Sequence, residues 1–433
     1  MNMNRFFVIA LLIGFSFTFS CNSDPSESYE NNESETEMDQ ALSGPLQNVF
    51  DQHGLMGLSV VLIADNEIAY EGYFGQAVHE PSKELNRDSV FRIASITKTI
   101  VTVALMQLVE QGLVDLDQDV SHVLGWELRN PNQPDEVITL RHLLGHTSGI
   151  RDGEGYGNFV SDMVEDQLSI RDLFESDGSH FTDDMFAGHS PGEYFSYSNS
   201  AWSLVASVIE LISNQRLDQY AMEHIFEPLG MNASFNVTDF ESDEFAALYR
   251  IQEGVWTPQV DYYVIEDPEE RAYEGYVPGH NGLLYGPQGN LRMDTKSLTI
   301  LALTLMNGGE KDGVRILDSA TVDEMTRPIW QYDGSNGDTW ENFWLSYGLG
   351  IHQITNRPGM DIIFPDRTMW GHAGIAYGLL SDMYVDPETK AGVIFITNGS
   401  SREFVYAEES SFYSVEQDVF EVLYPYLIEI EEN

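Results

Sequence analysis

The chain is short of cysteine, of lysine and of long apolar runs. One cysteine, Cys21, stands in 433 residues, so no intrachain disulfide can form. Lysine occurs at five positions: Lys83, Lys98, Lys296, Lys311 and Lys390. Lysine and arginine together number 21 against 70 aspartates and glutamates, a formal net charge of −49. That field repels phosphate backbones and argues against a nucleic-acid partner. An acidic, lysine-poor surface stays soluble at high ionic strength, where its own repulsion is screened. A saline habitat and a plain acidic secreted protein both fit it. No run beyond Phe19 is long and apolar enough to read as a membrane-spanning helix. Apolar residues still make up 42% of the chain, enough for a sizeable core, so global disorder is not expected.

What is present at the start reads as an export signal. Arg5 precedes an apolar run from Phe6 to Phe19, of signal-peptide length, and small Ser20 then precedes Cys21. This resembles a bacterial lipoprotein signal, which implies residues 1–20 as signal peptide, lipidation of Cys21, and a membrane-anchored place in the cell envelope. An ordinary signal peptide cut nearby is the alternative. Residues 21–40 are polar and acidic, with no basic residue, and read as a disordered tether. The folded part is expected over 41–433.

Within it, Leu42–His53 suits a helix. Leu58–Ala64 and Ile68–Phe74, joined by Asp65-Asn66-Glu67, read as a hairpin. Ile96–Gln111 is apolar on nearly all faces and stops at Gly112, the pattern of a buried central helix. Thr139 suits the cap of a short helix through Leu144. Further helices are expected at Ala201–Ile212, Leu217–Phe226, Thr295–Met306, Ala320–Met325 and Val415–Tyr424, the last ended or kinked by Pro425. Late strands are expected at Leu379–Val385 and Gly392–Thr397. Strands at both ends and helices between them predict an α+β fold: an antiparallel sheet flanked by helices, with an inserted all-helical subdomain.

Three short motifs carry chemistry. Ser95 and Lys98 form S-x-x-K at the start of the apolar helix, and a three-residue step puts both on one face. A serine hydroxyl is a weak nucleophile until a base takes its proton, and a desolvated lysine amine can be that base. Tyr197 and Asn199 lie in a turn-rich stretch before a helix, where a phenol can relay protons and an amide can orient a lysine or a carbonyl. His372 and Gly374 lie in a run of small residues that lets a strand approach a ligand, and the N–H of Ile375 can serve an oxyanion. Each motif alone has a plain structural explanation.

Their order and content together resemble the serine β-lactamase and penicillin-binding protein family, class C β-lactamase-like branch. The stretches PheArgIleAlaSerIleThrLys, LeuArgHisLeuLeuGlyHisThrSerGlyIle and GlyProGlnGlyAsnLeuArg match as well. The resemblance spans roughly Leu42 to Leu427 and implies the β-lactamase/transpeptidase fold and two-step acyl transfer. In it Ser95 is the nucleophile, Lys98 and Tyr197 manage its proton, and Asn199 holds Lys98 and substrate. The N–H groups of Ser95 and Ile375 form the oxyanion hole, while His372 and Gly374 contribute to substrate binding. No cofactor or metal is called for. One departure matters: His372-Ala373-Gly374 stands where class C β-lactamases carry Lys-Thr-Gly. A shorter, often neutral histidine anchors a carboxylate less firmly. The expectation is therefore a serine hydrolase of small esters, D-peptides or amides, with weak action on β-lactams at most.

Two other readings are weighed. A zinc hydrolase would use His142 and His146, four apart, but Leu143 stands where a glutamate is needed. An inactive envelope lipoprotein acting as a binding module would be expected to have lost the serine, lysine or tyrosine. Asn232, Asn236 and Asn398 sit in N-x-[ST] sequons, read as chance. The aromatic-rich stretches at 156–163, 261–276 and 331–344 are expected to be loops that shape a pocket.

Overall fold

The computed structural model describes residues 37–265, 267–269 and 274–432. Cys21, the apolar run before it and most of the acidic tether lie outside them. The first helix, α1 (Glu37–His53), begins five residues earlier than the Leu42 expected from the sequence.

Among the described residues, nine strands form the main sheet: β1 (Gly57–Ala64), β2 (Glu67–Val78), β3 (Lys83–Glu84), β4 (Trp330–Gln331), β5 (Ser346–Tyr347), β6 (His352–Gln353), β7 (Trp370–Ala376), β8 (Leu379–Asp386) and β9 (Ala391–Thr397). Their spatial order is β4-β5-β6-β7-β8-β9-β1-β2-β3, antiparallel throughout. The N-terminal hairpin joins the C-terminal strands where β1 lies against β9, Leu58 opposite Thr397 and Ile63 opposite Gly392. Asp65 and Asn66, both at positive φ, close the β1–β2 hairpin as a two-residue turn.

The remaining described elements used below are α2 (Thr97–Glu110), α3 (Leu140–Leu144), α4 (Glu154–Asp162), α5 (Ala201–Ser213), α6 (Leu217–Ala221), α7 (Thr295–Met306), α8 (Ser319–Thr326) and α9 (Ser414–Glu432). Strand β1 is buried along its whole length, and its alternation explains the layering. Leu58, Val60 and Leu62 pack with Leu42 and Leu46 of α1 and Val419 and Leu423 of α9. Val61 and Ile63 join the second cluster, with Ile100 and Ala104 of α2 and Leu298 and Leu301 of α7. The sheet is thus sandwiched between helical layers.

Two expectations change. Pro425 does not end α9, which continues to Glu432. The proline forfeits one backbone hydrogen bond, but the apolar stripe Val419, Phe420, Leu423 and Leu427 continues past it into one buried cluster, and that burial holds the helix. The central region is not all helical either. Val90–Arg92, Arg292–Asp294 and Ala233–Ser234 form a small sheet, and Leu248–Gln252 pairs with Val255–Val260. The three strands of the small sheet are too short to show a period.

Candidate active site

Three elements converge where α2 begins. A single 3₁₀ turn, Ala94–Ile96, carries Ser95 into α2. Ala94 has φ +47°, in the left-handed region a non-glycine residue avoids, a local strain of the kind that collects at functional sites. The sheet holds this turn in place: Ser381 Oγ of β8 donates to the Ile93 carbonyl at 3.1 Å. Gly374 of β7 lies flat against it, since a Cβ there would stand 2.5 Å from Ile93 O and 3.1 Å from Ala94 Cβ. The glycine of the third motif is therefore a clearance requirement.

Lys98 is fully buried one turn into α2. Its Nζ donates to Ser95 Oγ at 3.1 Å, to Asn199 Oδ1 at 2.9 Å and to the Gln288 carbonyl at 2.6 Å. Burial lowers its pKa to about 7, opposed by the charge of Asp152. The Tyr197 hydroxyl hydrogen-bonds with Ser95, and desolvation raises the phenol above its ordinary value. The Tyr197 ring stacks on His146 at 4.3 Å and on Trp344 at 5.0 Å. At neutral pH the amine is thus the available base, and the phenol keeps its proton.

Asp152, to which the sequence reading attached no role, organises the second motif. Its carboxylate accepts from the Asn199 N–H at 2.9 Å, Asn199 Nδ2 at 2.8 Å and the Ser200 N–H at 2.8 Å. Asn199 is thereby oriented with its oxygen toward Lys98. The Gln288 carbonyl, within GlyProGlnGlyAsnLeuArg, gives no residue-type signal in the sequence, because every residue offers the same backbone acceptor.

Strand β7 is paired with β6 only at Trp370 and Gly371, so its edge is open from His372 onward. Tyr377 and Gly378, at positive φ, form a two-residue turn into β8. In such a hairpin Ala376 and Leu379 exchange hydrogen bonds, and the next pair, Ile375 and Leu380, does not. The Ile375 N–H therefore points away from β8, to the open edge beside Ser95.

His372 departs from its expected part in substrate contact. It is fully buried, with Nε2 against Tyr347 Oη at 2.8 Å and Nδ1 against the Ala373 carbonyl at 2.6 Å. Burial, with Lys98 nearby, holds its pKa well below the ordinary value. A neutral imidazole with both nitrogens engaged offers no charge to a carboxylate. His142 and His146 are not a ligand pair. His142 closes a capping box with Thr139, while His146 Nδ1 takes the Ser198 N–H at 3.1 Å. Among the described residues no group of three or more His, Cys, Asp or Glu side chains is placed to hold a metal.

A cleft of about 230 Å³ opens over Ser95, lined among others by Tyr156, Val160, Met163, Asn199, Ile375 and Tyr377. The stretch 156–163 does shape the pocket, but from a helix, α4, which Gly155 and Gly157 conceal in the sequence. Asp261 reaches the same wall by pairing with Arg292 at 2.7 Å and Arg92 at 3.6 Å.

A serine-bearing turn, a buried amine, a phenol and an open strand edge make up the candidate site, on a fold of the β-lactamase/transpeptidase class. The chain belongs to the beta-lactamase family, whose profile, described as Beta-lactamase, matches residues 37–412. Penicillin-binding protein 4* of Bacillus subtilis is 28% identical over 55% of this chain and 51% of its own length. Esterase EstB of Burkholderia gladioli is 27% identical over 57% of this chain and 67% of its own. The match thus spans about half the length of the first of these relatives. Among solved structures, EstCE1, described as a hydrolase with promiscuous acyltransferase activity, superposes with a TM-score of 0.63 at 22% identity, covering 90% of this chain and 100% of that one. The D-amino acid amidase of Ochrobactrum anthropi SV3, with D-phenylalanine, superposes with 0.61 at 22% identity, covering 90% and 99%. At such identity these two superpositions speak for the fold alone.

Proposed function

We propose that the protein is a serine acyl hydrolase of small esters or amides, working through an acyl-enzyme on Ser95. The observation that carries this reading is the Lys98 amine. It is buried, lowered toward neutrality, and 3.1 Å from the Ser95 hydroxyl. Lys98 accepts the Ser95 proton as Oγ attacks the carbonyl, and the N–H groups of Ser95 and Ile375 receive the oxyanion. Tyr197 passes the proton to the leaving group, whose bond to the acyl carbon breaks. Water, deprotonated by the same pair, then releases the acid and restores Ser95. The buried, neutral His372 supports esters and amides over carboxylate-bearing β-lactams.

The test is hydrolysis of a short-chain p-nitrophenyl ester by the protein and by its Ser95→Ala variant. Turnover should fall by about 10³-fold or more in the variant; equal rates would overturn the reading. The envelope location belongs to the same proposal and rests on the sequence around Cys21. Labelled fatty acid should be incorporated into the protein in a bacterial host and be lost in Cys21→Ala. Equal labelling of both would refute the anchor.

A further inference from the structure

The mechanism leaves one buried pair of acids without a task. Asp382 of β8 is fully buried, and apart from Glu416 neither of its oxygens has a hydrogen-bond partner among the described residues. Its neighbour is the carboxyl of Glu416, in the first turn of α9 and also buried. Glu416 has a structural duty of its own, since one oxygen accepts the Tyr413 N–H at 2.6 Å. The two carboxyls also hydrogen-bond to each other. Among the described residues, no arginine, lysine or histidine acts on either group.

Glu416 lines a pocket, and Asp382 lies on the same face of the sheet. Asp382 lies directly opposite Ala373 in the β7–β8 register, and cross-strand partners share a face of the sheet, which by alternation Ile375 also shares. The pocket on that face is lined by Ala373, Ile375, Glu416 and the rings of Trp340, Phe343, Tyr406 and Tyr413. Its volume is about 20 Å³, room for one small group. Trp340 and Ile375, 48% and 42% exposed, stand at its mouth.

Aromatic faces attract cations, and a buried carboxyl pair that keeps one negative charge is stabilised by a counter-ion. We propose that this pocket is an ammonium-binding subsite, with Glu416 in its lining, Asp382 paired to Glu416, and the aromatic rings as its walls. Two carboxyls with one proton between them carry a single negative charge, which one ammonium matches; both pKa values are indeed raised, chiefly by burial. The place of the subsite assigns the amine within the substrate. Ile375 offers its N–H at the strand edge and its side chain to this pocket. The cleft lined by Ala376 and Tyr377 receives one substituent of the scissile carbonyl, and the amine is carried on the other, toward Ala373. This deepens the hydrolase reading and rests on it for the placement of the carbonyl.

The test separates the two. Butylammonium chloride is titrated calorimetrically into the Ser95→Ala protein at matched ionic strength, with butanol as the uncharged control. Saturable one-to-one binding is expected, weakened about tenfold or more in Glu416→Gln and in Trp340→Ala, with butanol not binding. Trp340 is half exposed, so its variant keeps the test open should Glu416→Gln fold poorly. No saturable binding, or equal affinity in the variants, would overturn the subsite and leave only general attraction to an acidic surface. Binding needs no turnover, so an inactive wild type that still bound the amine would sink the hydrolase reading and spare the subsite.

Discussion

A lysine buried without a contacting carboxylate is a base in waiting, and the rate should report it. Lys98 has its pKa lowered to about 7, so it carries the proton below that pH and is free to accept one above it. The pH profile of kcat/KM for an ester, which reports groups of the free enzyme, should therefore rise tenfold per unit at low pH and level off above about 7. A profile flat from pH 5 to 9, a window of about two units either side of that value, would exclude Lys98 as the base. Asp152 provides a sharper check, because it touches Asn199 rather than the reacting atoms and raises the Lys98 pKa through its charge. Asp152→Asn should lower kcat by about 100-fold through misplacement of Asn199. It should also move the acid limb of the profile to lower pH. A loss of rate with the limb unmoved would mean that Asp152 only braces the loop.

At the scale of elements, the site depends on how closely β7 can approach the turn that carries Ser95. Gly374→Ala would drive a Cβ to 2.5 Å from a backbone oxygen of that turn. The variant should lose about 1–3 kcal/mol of stability and most of its esterase rate. Gly157 on α4 is the opposite case, with nothing near the added carbon. Gly157→Ala should raise stability by about 0.5–1 kcal/mol. Urea unfolding of both variants decides, and a Gly374→Ala enzyme with wild-type rate and stability would refute the clearance argument.

The same elements show what a one-dimensional reading can hold. Long periodic segments such as Thr295–Met306, and motifs tied to a fixed spacing such as Ser95 with Lys98, were legible because their signal is local. Asp152 was not, because its importance lies in accepting three N–H groups from residues more than forty positions away. The Gln288 carbonyl was not, because backbone groups are the same in every residue. The burial of His372 was hidden because a strand's two faces look alike until the sheet order is known. Of the two effects expected of Pro425, ending the helix fails because that rule weighs one lost hydrogen bond and ignores the cluster on either side. The acid pair of Asp382 and Glu416 joins a strand to a helix 34 positions on, and neither residue announces the other.

Across the whole molecule the charge imbalance sets the terms for both folding and substrate. Twenty-one basic side chains can neutralise at most 21 of 70 carboxylates, which leaves 49 without a cation. Salt screens attraction and repulsion alike, but here repulsive pairs far outnumber attractive ones, so their loss dominates. The screening length falls from about 10 Å at 0.1 M to about 3 Å at 1 M, from several neighbours' reach to less than one. The urea midpoint should therefore climb steadily with sodium chloride over that range. Guanidinium would not serve as denaturant, because it is itself a salt. Sulfate would add a separate gain through stronger apolar burial, so potassium chloride, matching sodium chloride, is the proper comparison. A midpoint that stays flat or falls would mean that the native ion pairs outweigh the repulsion, and the saline reading of the composition would go with it. The same field draws cations toward the cleft and repels anions. Salt should thus raise KM for an amine-bearing ester and lower it for a carboxylate-bearing one, while an uncharged ester, which the field does not act on, keeps its KM.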